Sequence, residues 1–68
     1  MTEIPLAPMD KLLRNAGARR VSKKAAKTFA EVLETIASDL SKEAILLAKH
    51  SGRKTVHATD IQLAKRIL

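Results

Sequence analysis

Two short basic segments hold the side chains of this sequence that are best suited to bind an anion. The first is residues 19–22 (RRVS) and the second is residues 53–56 (RKTV). Each places guanidinium or ammonium donors close to a hydroxyl group, and such cationic donors form strong charge-assisted hydrogen bonds with phosphate oxygens. A helix N-terminus near either segment adds outward-pointing backbone N–H groups that bind the same ligand. The two segments therefore predict phosphate-binding sites.

The charge distribution indicates what kind of phosphate ligand this is. The net charge is +6 in 68 residues, so we expect a polyanionic partner, with nucleic acid first and an anionic membrane second. Residues 1–27 carry a net charge of +5 and residues 49–68 a net charge of +4, whereas residues 28–48 carry −3. A helix that lies on a membrane shows instead a continuous basic stripe. The distribution therefore favours nucleic acid.

Composition argues against several other classes of protein. No apolar run approaches the roughly 20 residues of a membrane span, and the first residues lack the basic start of a secretory signal. We therefore expect a cytoplasmic, chromosome-associated protein with no membrane partner. The sequence contains one aromatic residue, Phe29, too few for binding by base stacking. It has no nucleophile–base pair, glycine-rich phosphate loop or metal cluster, so we expect no enzyme activity, cofactor, metal or small-molecule substrate.

The elements that position the basic segments are predicted to be three helices. Prolines and an apolar face with steps of three and four predict a short helix from about Pro8 to Asn15, ended by Gly17. Helical periodicity without Pro or Gly predicts a long helix from Lys23 to about His50, with Ser22 as N-cap. A last short helix is expected from about Ala58 to Leu68. The fold class is therefore all-α, and the two basic segments are the loops.

The length of the middle helix predicts that the chain pairs with another. We expect one domain over residues 1–68, too small to be more than marginally stable alone. Without cysteines a disulfide cannot stabilise it, and a partner chain is the remaining device. Two helices of roughly 10 residues cannot cover an apolar stripe along a helix of about 42 Å. The predicted dimer core on that stripe comprises Phe29, Leu33, Ile36 and Leu40.

Two motifs in the loops resemble those of a known family. Residues 16–22 read AG-x-x-RVS, and residues 48–56 read AKH-x-GRKTV, followed by Asp60-Ile61. Together they resemble the archaeal histones, and the likeness extends over residues 3–66. The resemblance implies the histone fold, a short–long–short set of helices that forms an intertwined handshake dimer. It also implies that the first loop of one chain lies beside the second loop of its partner.

The resemblance assigns roles to particular residues. Arg20 matches an arginine that the family places in the DNA minor groove, and Arg53 and Asp60 match a salt bridge that joins the second loop to the third helix. The predicted DNA-binding residues are Lys11, Arg14, Arg19, Arg20, Ser22, Arg53, Lys54 and Thr55. The predicted contacts between dimers are Leu47, His50, Asp60 and Leu63.

The expected function is architectural. The chain would form homodimers that bind, bend and wrap double-stranded DNA with little sequence specificity, and dimers would assemble further on the DNA to compact the chromosome. The alternative is a histone-fold protein that pairs with a different histone-fold chain in a transcription-related complex. Such proteins often lose the loop arginine and lysine, whereas this chain keeps Arg20, Arg53 and Lys54. A histone paralogue as partner and the size of the assembly on DNA stay open.

Overall fold

The computed structural model describes residues 3–68 and contains three α-helices. These are α1 (Leu6–Asn15), α2 (Lys23–His50) and α3 (Ala58–Ile67). No strand occurs among residues 3–68, so the predicted all-α, short–long–short order is confirmed. None of the helices in this part of the chain has the length and apolar character needed to cross a membrane.

Helix α1 begins two residues earlier than the prolines predicted. Pro5 is the N-cap, with an extended backbone (φ −60°, ψ 145°). The prediction placed Pro8 first because a proline suits the first turn of a helix. Pro8 is instead the third helical residue, where the missing N–H has no helical acceptor in any case. The predicted start of α1 was therefore wrong by half a turn.

The other predicted helix boundaries hold except for the last residue. Ser22 precedes α2, and its Oγ accepts a hydrogen bond of 2.9 Å from the Ala25 backbone N–H, the contact that an N-cap makes. Helix α3 ends at Ile67 rather than at Leu68. The N–H of Leu68 still donates to the Ala64 carbonyl at 3.0 Å, so the last turn closes without Leu68 being helical.

Helices α1 and α2 end in the same way. At the end of α1, the N–H of Ala18 donates to the Leu13 carbonyl at 3.0 Å, and Gly17 has a φ of 120°. At the end of α2, the N–H of Arg53 donates to the Ala48 carbonyl at 3.0 Å, and Gly52 has a φ of 72°. These are Schellman motifs, in which a residue of positive φ lets the chain turn back over the last carbonyls. Each basic loop therefore turns at a glycine close to its start.

The chain forms two compact units, and α2 contributes its first part to one and its second part to the other. In the unit up to Thr35, Met9 packs with Ala26 and Ala30, and four partly buried residues surround them. These four are Ile4, Val21, Phe29 and Leu33. In the unit Ile36–Leu68, the buried apolar residues are Ala44, Ala48 and Ala64. Small residues at these contacts let the helices approach closely, so each unit has only a thin core.

Most large apolar side chains lie outside these cores. The described residues include no large side chain that is fully buried. Among the predicted dimer-core residues, Phe29, Leu33 and Leu40 are half-buried, and Ile36 is 54% exposed. Exposed apolar residues are spread over all three helices, namely Leu6, Leu12, Val32, Ile36, Ile45, Leu46, Ile61, Leu63 and Ile67. Exposed apolar side chains that lie together in a patch typically mark a contact with another protein.

Candidate nucleic-acid interface

The first basic loop, residues 16–22, exposes its arginines to solvent, and the C-terminal end of the loop is held in place by the rest of the unit. Arg19 and Arg20 are exposed. Val21 packs against the Met9 cluster, and Ser22 caps α2 through its Oγ. The two residues that follow Arg20 are therefore held by the core and by α2. Arg20 projects from an anchored segment and is free to meet a phosphate backbone.

Arg14 joins helix α1 to this loop. Its Nε donates to Asp10 Oδ2 at 2.8 Å, one turn back along α1. Its Nη1 donates to the backbone carbonyl of Arg19 at 3.2 Å. Sequence reasoning assigned Arg14 to DNA and overlooked Asp10 as its partner, although their spacing of four residues is the one at which helical side chains meet. Lys11, on the same helix, is exposed.

The second basic loop, residues 51–57, is organised around Arg53. Its Nη1 and Nη2 donate to the two carboxylate oxygens of Asp60 at 2.8 and 2.7 Å. Nη1 also donates to the Thr55 carbonyl at 3.0 Å. The bidentate geometry is the strongest form of this pair. It fixes the chain on both sides of Lys54.

Asp60 is the only buried charged residue of the described chain, and all of its partners come from one loop. Besides Arg53, its Oδ2 accepts a 2.7 Å hydrogen bond from the backbone N–H of His57, the residue before α3. The hydrogen bonds from Arg53 and from His57 hold the pKa of Asp60 well below its usual range. The same pair raises the pKa of Arg53. Asp60 is thus ionised and ties the loop to the first turn of α3.

The remaining residues of the second loop are accessible. Lys54 and Thr55 are exposed, as is Val56. Of the residues predicted to join dimers, Leu47 is half-buried and His50 and Leu63 are exposed. Asp60, also assigned to that contact, is buried with both oxygens bound to Arg53.

The two loops share one plan. In each, an arginine donates to a carboxylate on a helix and to a backbone carbonyl of the loop: Arg14 to Asp10 and Arg19, and Arg53 to Asp60 and Thr55. We call such a loop braced, because the arginine ties its backbone to a helix. In each loop, a basic side chain next to the carbonyl that accepts from the arginine stays exposed. The first loop belongs to the unit up to Thr35 and the second to the unit Ile36–Leu68. The structure is thus all-α with exposed cations on two loops, an arrangement typical of proteins that bind phosphate groups.

Comparisons with known proteins give the family. Residues 2–64 match the model of the family described as histone-like transcription factor (CBF/NF-Y) and archaeal histone. The chain is 55% identical over 64 residues to one of the subunits of the archaeal histone HAN1 from Thermococcus zilligii, and the match covers 94% of this chain and 96% of that protein. It is 48% identical over 66 residues to a probable archaeal histone 3 of Methanocaldococcus jannaschii, covering 97% and 98%. The chain belongs to the family of histone-like transcription factors and archaeal histones.

Membership confirms the resemblance seen in the loop motifs and the main functional prediction. The chain is a DNA-binding, architectural chromatin protein with the histone fold. Its family consists of structural, oligomer-forming proteins of the chromosome rather than of enzymes. The family match favours this interpretation over the alternative of a protein that only pairs with another histone-fold chain.

Proposed function

We propose that two copies of this chain, each a single domain over residues 1–68, pair along α2 and bind duplex DNA through their loops. The first two residues of that domain lie outside the described residues. The observation that carries the proposal is the pair of braced loops, which present exposed cations next to fixed backbone. Exposed cations on such loops bind phosphates and do not read base edges.

Pairing is supported by the exposed apolar side chains of α2. Val32 and Ile36 are half or more exposed in the single chain. The buried alanines of α2 lie on a different side of the helix. Fully burying an exposed aliphatic side chain contributes about 1.5–3 kcal/mol, and covering one that is half exposed contributes about half of that. We propose Phe29, Leu33, Ile36 and Leu40 as the core of that contact. Two copies of this chain can form this contact without a second gene product. A paralogue with the same apolar stripe on its long helix is the other candidate partner.

The proposed DNA surface combines the two loops of different chains. In this arrangement Arg20 of one chain enters the minor groove, and Lys54 and Thr55 of the other bind the adjacent phosphates. Minor-groove arginines with backbone contacts are how histones bind DNA without base-specific contacts. Lys11, Arg19 and Ser22 extend the same surface, and Arg53 supports it from beneath.

Further assembly is proposed through the last turn of α2 and the middle of α3. Leu47, His50 and Leu63 form this contact, with Asp60 fixing the loop behind it. The proposed place of action is the chromosome, in the cytoplasm. No cofactor, metal or membrane takes part.

The test is the salt dependence of binding to duplex DNA of arbitrary sequence. Counterion release predicts that the logarithm of the binding constant falls linearly with the logarithm of salt concentration. We expect a steep negative slope for the natural protein and weaker binding for Arg20→Ala. Lys42→Ala, in the acidic middle of α2, is the matched control and should bind almost normally. Binding that does not change with salt, or that Arg20→Ala leaves intact, contradicts the proposal.

A further inference from the structure

The hydrogen bonds of Arg14 give it a second role that its charge alone does not suggest. A guanidinium that binds phosphate must turn its donors outward. In Arg14, Nε is engaged by Asp10 at 2.8 Å and Nη1 by the Arg19 carbonyl at 3.2 Å. Two of the donors of Arg14 are therefore engaged by α1 and by the loop, and Arg53 likewise joins a carboxylate to a loop carbonyl through Asp60 and Thr55.

The Arg19 carbonyl is the point of the loop that most directly controls Arg20. This carbonyl and the N–H of Arg20 belong to the same planar peptide group. A hydrogen bond that fixes this carbonyl therefore fixes the orientation of the whole peptide plane, which includes the Cα of Arg20. On the other side, Val21 is held by the Met9 cluster. Arg20 thus lies between two anchored points, and Arg14 supplies one of them.

We propose that Arg14, held in place by Asp10, is a positioning residue that orders the first loop and sets the direction of Arg20. It does not act chiefly as a phosphate ligand. The proposal rests on the function proposed above, since it concerns the DNA contact of Arg20. In this proposal the role of Asp10, an acidic residue on a helix that also carries basic side chains, is to orient the Arg14 guanidinium.

Two conservative variants separate positioning from phosphate binding. Arg14→Lys keeps the positive charge but replaces the planar fork with a single ammonium, which cannot donate in two fixed directions. Asp10→Asn keeps the shape, raises the net charge by one and weakens the hold on Arg14, because the amide oxygen is a neutral acceptor. If Arg14 were only a phosphate ligand, neither change would loosen the first loop in the absence of DNA, and the second would strengthen DNA binding.

Positioning predicts the opposite result. Without DNA, the ¹⁵N order parameter of the Arg20 amide should fall from about 0.85 toward about 0.6 in both variants. Duplex binding should weaken about threefold to tenfold in both, the size of one ordinary hydrogen bond. Arg66→Lys and Asp39→Asn, the same changes at exposed positions on α3 and α2, should alter neither quantity. Circular dichroism checks that all variants keep their helix content.

The possible failures are distinguishable because loop order is measured without DNA. An Arg20 amide that stays rigid in both variants overturns the positioning role, whatever happens to DNA binding. A mobile loop with undiminished DNA binding also overturns it. A natural protein that does not bind duplex DNA in a salt-dependent manner overturns the proposed function itself, and the positioning of a DNA contact then fails with it.

Discussion

At the scale of single residues, Asp60 is the buried charged residue that anchors the second loop. Its two oxygens accept three hydrogen bonds, two from Arg53 and one from the His57 backbone. A buried carboxylate with so many donors is stable only when ionised. This makes the second loop dependent on the protonation of one group.

The stability of the protein should therefore depend on Asp60 in acid. Because the folded-state pKa of Asp60 is depressed, its contribution is fully present above the unfolded-state value of about 3.9 and is lost as pH falls toward the folded-state value. Asp60→Asn should lower Tm at pH 7. The difference in Tm from the natural protein should be constant down to about pH 5 and shrink below about pH 4.

The control for this experiment is Asp39→Asn, which removes an exposed carboxylate from α2. It should change Tm little at any pH. A Tm gap for Asp60→Asn that persists unchanged at pH 3, or that is absent at pH 7, contradicts the role given to the hydrogen-bonded carboxylate.

At the scale of elements, the N-terminus of α2 depends on one hydroxyl group. Replacing Ser22 by alanine removes the acceptor for the Ala25 N–H and should lower the free energy of unfolding by about 1 kcal/mol. Ser22→Asn keeps an N-cap acceptor and should retain most of the stability. Ser38→Ala, within α2, is the control and should be neutral or slightly stabilising. Chemical denaturation measures all three, and equal stability of Ser22→Ala and Ser38→Ala contradicts the capping role.

The turn at the end of α2 depends on the backbone conformation of Gly52 rather than on a side chain. A methyl group at Gly52 would meet no atom within 4 Å, so crowding cannot account for any loss. The φ of 72° is unfavourable for alanine by about 1 kcal/mol. Gly52→Ala should lower the free energy of unfolding by that amount, and Ser51→Ala, one residue earlier, should not. No difference between the two variants would show that the turn relaxes without cost.

Particular residues show how far the sequence could predict these elements. The ends of α2 followed from Ser22 and Gly52, because capping chemistry is local. The start of α1 did not, since two prolines are each compatible with a helix start. The hydrogen bond from Arg14 to the Arg19 carbonyl could not be predicted from the sequence, because it depends on how the loop folds back toward α1. The pair of Arg53 with Asp60 came from family resemblance, because seven residues and a turn separate them in the chain.

At the scale of the whole molecule, the exposed side of α2 is the feature that a single chain leaves unexplained. The prediction of pairing came from length and periodicity alone, and the exposure of Ile36 agrees with it. The shape of the DNA-binding surface was not derivable from one chain. It depends on which loops a partner brings together.

Pairing can be tested at Ile36 by introducing a charge. On a solvent-facing helix position Ile36→Glu would change stability by about 0.5 kcal/mol or less. In a dimer core it buries an unpaired charge and loses an apolar contact, which together exceed about 3 kcal/mol. We expect sedimentation to show monomers and circular dichroism to show reduced helix content. Ser38→Glu, two residues further along α2 and exposed, should stay paired. Normal pairing of Ile36→Glu contradicts the proposed core.

The most direct test of the central claim is to mix two variants that each bind DNA poorly. Arg20→Ala and Lys54→Ala homodimers each lack one half of both proposed sites. In a mixed dimer, one site joins the intact Arg20 of one chain to the intact Lys54 of the other. The account predicts that refolding the two variants together restores part of the duplex binding measured at fixed salt. Binding by the mixture that never exceeds the average of the two separate variants would contradict a DNA surface built from both chains.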